Sequence, residues 1–172
     1  MIERERTFLL KYLPKDLASF PKEEVTDLYI PKNVEHPKIR IRKVGEKMFI
    51  TKKVGVPGND NSIKHETTIP LEKHEYQGFM TTQGKLLSKI RYQYPWQGRM
   101  GELDVFQGEL FGLVMIDFEF ETQEELQAFA MPEFCLADIT EEREIAGGLL
   151  AGKKYEEIQP ILKKYGYHAI LL

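Results

Sequence analysis

Twelve charged residues stand in pairs two positions apart: Glu3/Glu5, Arg40/Arg42, Lys64/Glu66, Lys89/Arg91, Glu102/Asp104 and Asp117/Glu119. In an extended strand, side chains two apart project from the same face, about 7 Å from each other along the chain. Like charges held that close repel unless an opposite charge sits between them. With Lys53 and Arg143 the set comprises seven acids and seven bases. Carboxylates are hard oxygen donors for divalent cations, and guanidinium and ammonium groups grip phosphate oxygens. A polyanion bridged by divalent cations would satisfy both halves of the set.

The spacing works only on strands. Residues 1–10 alternate Ile2, Arg4, Arg6, Phe8 and Leu10 against Glu3, Glu5, Thr7 and Leu9. Residues 38–44 and 48–54 read as a hairpin about Gly45-Glu46, and further strands are expected at 25–30, 62–69, 85–94, 102–106 and 110–121. Residues 55–61 read as a loop and 95–98 as a turn. Helical segments are expected as a short turn near Leu17, after Pro70, and after a capping box at 122–125. Two more follow, from Thr140 through Leu149 to Gly152 and about Pro160 up to Gly166. The expected class is α+β with antiparallel strands. On an open sandwich the charged faces would look at water. In a closed barrel covered by helices they turn inward, where an unpaired ion costs several kcal/mol.

A chain of 172 residues with a formal net charge of −3 suits one domain and argues against nucleic acid or an anionic membrane as main partner. The lone Cys135 allows no internal disulfide and reads as core filler. No apolar run reaches membrane-span length and the N-terminus lacks an apolar leader, so the expected location is cytoplasmic. His36, His65, His74 and His168 are dispersed without metal-ligand spacing and read as surface or structural residues. Glycine motifs of the nucleotide-binding type are absent.

In order along the chain, these residues resemble the CYTH family, the triphosphate tunnel metalloenzymes. Glu3, Glu5, Phe8 and Leu9 match the family's opening E-x-E-x-K strand and the Phe-Leu after it, with Thr7 where lysine is expected. Arg40-Ile41-Arg42, Thr51-Lys52-Lys53, Lys64-His65-Glu66 and Lys89-Ile90-Arg91 match successive family strands, though Thr68 replaces an acidic residue. Glu102 to Phe106 is similar to E-x-D-V-F, and Asp117 to Phe120 resembles the terminal E-x-E-F. Thr140 to Arg143 matches the start of a C-terminal basic segment, after which the pattern ends.

The resemblance implies a closed eight-stranded antiparallel tunnel with helices outside, spanning residues 1–150; residues 151–172 lie beyond it and are expected as a helical extension packed on the same domain. It implies Mg²⁺ or Mn²⁺ held by Glu3, Glu5, Asp117 and Glu119, with Glu66 and Asp104 as outer or second-metal ligands. Arg40, Arg42, Lys53, Lys64, Lys89, Arg91 and Arg143 would grip phosphate oxygens, and catalysis would fall chiefly to Glu5, Lys53, Lys89 and Arg91. The activity implied is metal-dependent hydrolysis of a small triphosphate, inorganic tripolyphosphate first. A class IV adenylate cyclase and a triphosphate- or nucleotide-binding protein with little turnover are the alternatives. Self-association into a homodimer is left open.

Overall fold

The computed structural model describes residues 1–171, and Leu172, the last residue of the expected extension, lies outside the described residues. The strands are β1 (Ile2–Leu10), β2 (Lys22–Ile30), β3 (Ile39–Val44), β4 (Lys47–Gly55), β5 (Ile63–Pro70), β6 (Lys85–Trp96), β7 (Arg99–Phe106), β8 (Val114–Glu119) and β9 (Cys135–Asp138). The α-helices are short: α1 (Lys73–Phe79), α2 (Gln123–Ala128), α3 (Gly147–Leu150) and α4 (Tyr155–Lys164). Antiparallel pairing runs β5-β4-β3-β2-β6-β7-β8-β1, and β1 returns to β5 through Ile2↔His65, Glu3↔Lys64 and Arg4↔Ile63. That last pairing closes eight strands into a barrel.

Turn chemistry sets two of the registers. Gly45 opens the β3–β4 turn at φ 53°, a left-handed value that glycine adopts without a Cβ penalty. Gln97 and Gly98 both take positive φ between β6 and β7, the signature of a two-residue hairpin. Pro95 and Trp96, expected in that turn, instead extend β6.

The alternation along β1 sorts into two cores. Phe8 and Leu10 point outward into a cluster with Leu103, Ile116, Phe118 and Phe134, covered by α2 and the flanking loops. Leu9 points inward and joins Leu87, Phe106, Met115, Ile145, Leu150, Ile158 and Leu162. This second core plugs one end of the barrel. Each such side chain, fully buried, contributes roughly 1.5–3 kcal/mol.

Four expectations need correction. The strand read over 110–121 is only β8, because a 3-10 turn at Gly108–Leu110 and Gly112 at φ 99° bend the chain first. The helix read from Thr140 to Gly152 breaks into a 3-10 turn at Arg143–Ile145 and the four-residue α3. Thr140 does not cap it: its hydroxyl donates to Asp138 and accepts from the Thr7 N–H. Pro160 lies inside α4, whose ten residues exceed the turn expected there. β9, which had no clear alternation, pairs with β1 at Phe8↔Asp138 and Leu9↔Ala137, continuing the edge that β5 leaves.

Candidate active site

The inner faces of the barrel strands enclose a cavity of about 430 Å³. All fourteen charges singled out by spacing line it, from Glu3 on β1 to Arg143 on the segment before α3. The open-sandwich alternative is thereby removed. Among the described residues no helix is long and apolar enough to cross a membrane.

One wall, formed by β1, β4 and β5, gathers carboxylates around a single ammonium. Lys53 Nζ donates to Glu3 Oε1 at 2.6 Å and Glu5 Oε2 at 3.3 Å, and lies 3.2 Å from Glu66 Oε2. The second Glu3 oxygen is buried 2.5 Å from the same ammonium, without a directed hydrogen bond of its own. Burial, with Glu5 alongside, pushes the Glu3 carboxyl up to about 7. Burial also acts on Glu5, but Lys53 and Lys64, which donates to Glu5 Oε1, outweigh it and bring Glu5 down to about 2. One carboxyl of the pair is thus readily ionised and its neighbour is not.

The opposite side, β2, β3, β6 and β7, reverses the ratio, setting Arg40, Arg42, Lys89 and Arg91 against Asp27, Glu102 and Asp104. Arg91 makes a two-pronged contact with Asp104, Nε to Oδ1 and Nη2 to Oδ2 at 2.7 Å each, and Lys89 donates to the same carboxylate. Arg91 also donates to Glu102. Asp104 is 2 % exposed, and its two cations outweigh burial to hold it below the ordinary carboxylate range. Burial and then Arg91 lower the Lys89 ammonium. On β2 and β3, Arg42 grips Asp27 through two 2.7 Å bonds, while Arg40 reaches the Tyr29 hydroxyl at 3.4 Å and Glu66 at 3.8 Å.

Asp117 and Glu119 on β8 have no salt-bridge cation among the described residues. The Thr7 hydroxyl donates to Asp117 Oδ1 at 2.6 Å, and burial, then Glu5 and Asp104, push Asp117 up to about 6. Burial and Glu102 likewise raise Glu119. Thr7 therefore offers a hydroxyl where the family pattern carries an ammonium.

A strap, residues 139–148, crosses the plugged end of the barrel. It is tied to β1 by the Thr7 N–H to Thr140 Oγ1 bond and to the β4–β5 loop by the Asn61 N–H, which donates to Glu141 Oε1 at 3.0 Å. A Cβ on Gly147 would collide with the Tyr29 hydroxyl, so glycine there lets the strap lie against β2 without displacing that side chain.

Sequence spacing missed several lining residues. Tyr29 and Thr51 line the cavity, as do His36 and Lys38, and the buried Asp27 anchors Arg42 beside them. Lys38 shares the parity of Arg40 and Arg42, so the signal was present at the strand's edge. His36, read as a surface or structural residue, belongs to the cavity margin. Asp27 stood as a single charge among Val25, Leu28 and Tyr29, with no partner at spacing two.

No family model matches the chain. An inorganic triphosphatase from Nitrosomonas europaea is 29% identical over 154 residues, which cover 88% of this chain and 97% of that one. An inorganic triphosphatase from Acetivibrio thermocellus is 28% identical over 103 residues, 59% of this chain and 64% of its own length. A crystal structure of an inorganic triphosphatase superposes with a TM-score of 0.64 at 25% identity, covering 88% of this chain and 95% of its own. The likeness covers most of the closed barrel, and together with the inward charges of this chain it supports a place in the CYTH, or triphosphate tunnel metalloenzyme, family.

Proposed function

We propose that the chain is a divalent-metal-dependent triphosphatase that cleaves inorganic tripolyphosphate to pyrophosphate and orthophosphate. The observation that carries this reading is the pairing, within one closed cavity, of a carboxylate-rich wall with a wall rich in arginine and lysine. A triphosphate and its counter-cation need both.

Among the described residues, no three carboxylate, histidine or cysteine side chains converge closely enough to ligate a metal as they stand. Three carboxylates do bracket one cationic atom, Lys53 Nζ, at 2.6 to 3.3 Å. These are oxygen donors of the type Mg²⁺ and Mn²⁺ take, so the donor set fits a divalent ion once Lys53 turns away. Glu3, Glu5 and Glu66 would hold it, with Asp117 and Glu119 across the β1–β8 pairing and Asp104 further along. A bound ion would supply Lewis acidity toward phosphoryl oxygens and toward the attacking water.

The remaining work falls to the chain's own groups. Arg40, Arg42, Lys64, Lys89, Arg91 and Arg143 bind and orient phosphate oxygens, and Lys53 joins them when released from Glu3 and Glu5. Their charge neutralises the departing phosphate as the P–O bond breaks, so catalysis rests on positioning and electrostatics. The plugged barrel end limits access of bulk water. In this reading Glu5, Lys53, Lys89 and Arg91 are the catalytic set.

Orthophosphate release from tripolyphosphate, ATP and thiamine triphosphate, with Mg²⁺ or Mn²⁺, tests the proposal. Hydrolysis strongest with tripolyphosphate, and reduced about 10²- to 10³-fold by Glu5→Gln, supports it; hydrolysis indifferent to Glu5→Gln contradicts it. One observation favours binding with little turnover instead: the Thr7 hydroxyl on Asp117 supplies no positive charge there. Tight tripolyphosphate binding without orthophosphate release would select that reading, and cyclic AMP formed from ATP would select a cyclase.

A further inference from the structure

The cations of the cavity fall into two classes. Arg40, Arg42, Lys53, Lys64, Lys89 and Arg91 each have a carboxylate within 4 Å or less. An anion can take these groups only as their carboxylates are drawn off or lose charge. At the strap end the situation differs. Lys38 Nζ lies 2.9 Å from His36 Nδ1 and 3.1 Å from Nε2, and among the described residues neither Lys38 nor Arg143 has an ion-pair partner. Burial, and after it the nearby Arg143 and Lys64, lower the Lys38 ammonium; burial, Lys38 and Arg143 lower the His36 imidazolium. Basic groups have been brought together at the cavity margin, where the acid Glu35 acts on His36 less strongly than Lys38 or Arg143 does.

The cluster is also held in place. Lys85 Nζ donates to the carbonyls of Val34 and Glu35 at 2.8 and 3.0 Å, fixing the loop that carries His36. A Cβ on Gly148 would come within 2.6 Å of the Pro37 carbonyl oxygen, so the strap that carries Arg143 lies directly against that loop. Two preorganised cations, Lys38 and Arg143, beside an imidazole lose little freedom when an anion arrives and gain relief from repulsion.

We propose that His36 and Lys38, with Arg143 of the strap, form an anion-docking subsite that seats a phosphoryl group without a divalent cation. The proposal rests on the reading that this cavity takes a polyphosphate. The paired cations engage only when a divalent ion takes over their carboxylates. The subsite needs no such exchange, so it receives a terminal phosphoryl group first or holds orthophosphate last.

Calorimetric titration in excess EDTA tests this, with tripolyphosphate and orthophosphate as separate probes. The proteins are the wild-type chain, Lys38→Met, His36→Gln and Lys52→Met. Lys52 is exposed beside Lys53 with the opposite parity on β4 and serves as a control for lost charge. Thermal unfolding confirms that each variant folds. The expected result is metal-free tripolyphosphate binding, weakened about tenfold by Lys38→Met, or roughly 1.4 kcal/mol, less by His36→Gln and not by Lys52→Met. Orthophosphate binding with the same variant pattern assigns the seat to product, and its absence assigns it to substrate; both support the subsite. Equal affinities for wild type and Lys38→Met, or no wild-type binding in EDTA, overturn it. Hydrolysis with Mg²⁺, assayed in parallel, separates the two readings. Turnover without metal-free binding removes the subsite alone, and metal-free binding without turnover removes the hydrolase alone.

Discussion

Two walls of one cavity solve the problem of buried charge in opposite ratios. On β1, β4 and β5 three carboxylates share the Lys53 ammonium, and a second ammonium, Lys64, attends only Glu5. On β2, β3, β6 and β7 Lys89 and Arg91 share the Asp104 carboxylate with Glu102 at the edge, and Arg40 and Arg42 stand with Asp27, four cations to three carboxylates. Neither wall is a set of isolated salt bridges. The first is short of cations and the second, with four cations against three carboxylates, is short of anions, so under the proposed function each would be completed by one component of a metal–polyphosphate substrate. Burial makes the imbalance costly, because an ion removed from water is stabilised only by what surrounds it.

The largest expected effect breaks this contrast at its most buried point. Asp104→Asn leaves Lys89 and Arg91 without their shared anion and should lower stability by about 3–5 kcal/mol, read by chemical denaturation. Its complement, Lys53→Met, leaves the carboxylates facing one another and should destabilise as well. The rescues should differ: Mg²⁺ raises the melting temperature of Lys53→Met, and tripolyphosphate that of Asp104→Asn. Rescue of both variants by the same additive would contradict the two-wall account.

A middle-sized effect concerns Thr7. Replacing it with valine removes the hydroxyl that donates to Asp117 at 2.6 Å. A hydrogen bond to a charged group is worth about 1.5–3 kcal/mol, so above pH 6 the loss should be visible in denaturation. Carbon-detected NMR titration should show the Asp117 carboxyl titrating higher still than about 6. An unchanged Asp117 titration would mean that the hydroxyl is a bystander.

The smallest effect is a slope. Glu3 titrates at about 7 in the fold against an ordinary 4.5, and Asp117 at about 6 against 3.8, so both hold protons more tightly folded than unfolded. Their contribution to stability is complete below about pH 4 and is lost as the pH rises to 7. Glu5, at about 2, works the other way, but its contribution is already complete above its ordinary 4.5. Without metal, the melting temperature should therefore decline between pH 5 and 7. Saturating Mg²⁺ should flatten or reverse that decline, since the carboxylates bind a cation only when ionised. A metal-free melting temperature that climbs over the same range would reject the assignment.

Much of the barrel was legible because strand parity is a local property. Twelve charges at spacing two, with an apolar residue inside four of the six pairs, are enough to say which side chains share a face. Gly45 and Gln97-Gly98 marked two hairpins for equally local reasons. The plug was not legible. That Ile145, Leu150, Ile158 and Leu162 fill one barrel end depends on where a C-terminal segment returns, and no short pattern states it. β9 escaped notice because four residues carry too little periodicity, and Thr140 misled because a good helix cap can be drawn off by Asp138 and Thr7. In the site, paired spacing found the residues that come in twos. It passed over Asp27, which stands alone, and His36 and Lys38, which lie where the loop becomes β3.

The central claim is that cation and polyphosphate divide between the two walls. A crystal soaked with Mn²⁺ and tripolyphosphate, measured for anomalous scattering, tests it most directly. The account predicts a Mn²⁺ peak against Glu3, Glu5 and Glu66, Lys53 turned toward the phosphates, and phosphate oxygens on Lys89 and Arg91. A Mn²⁺ peak outside the barrel, or polyphosphate bound with Lys53 still seated between Glu3 and Glu5, would contradict it.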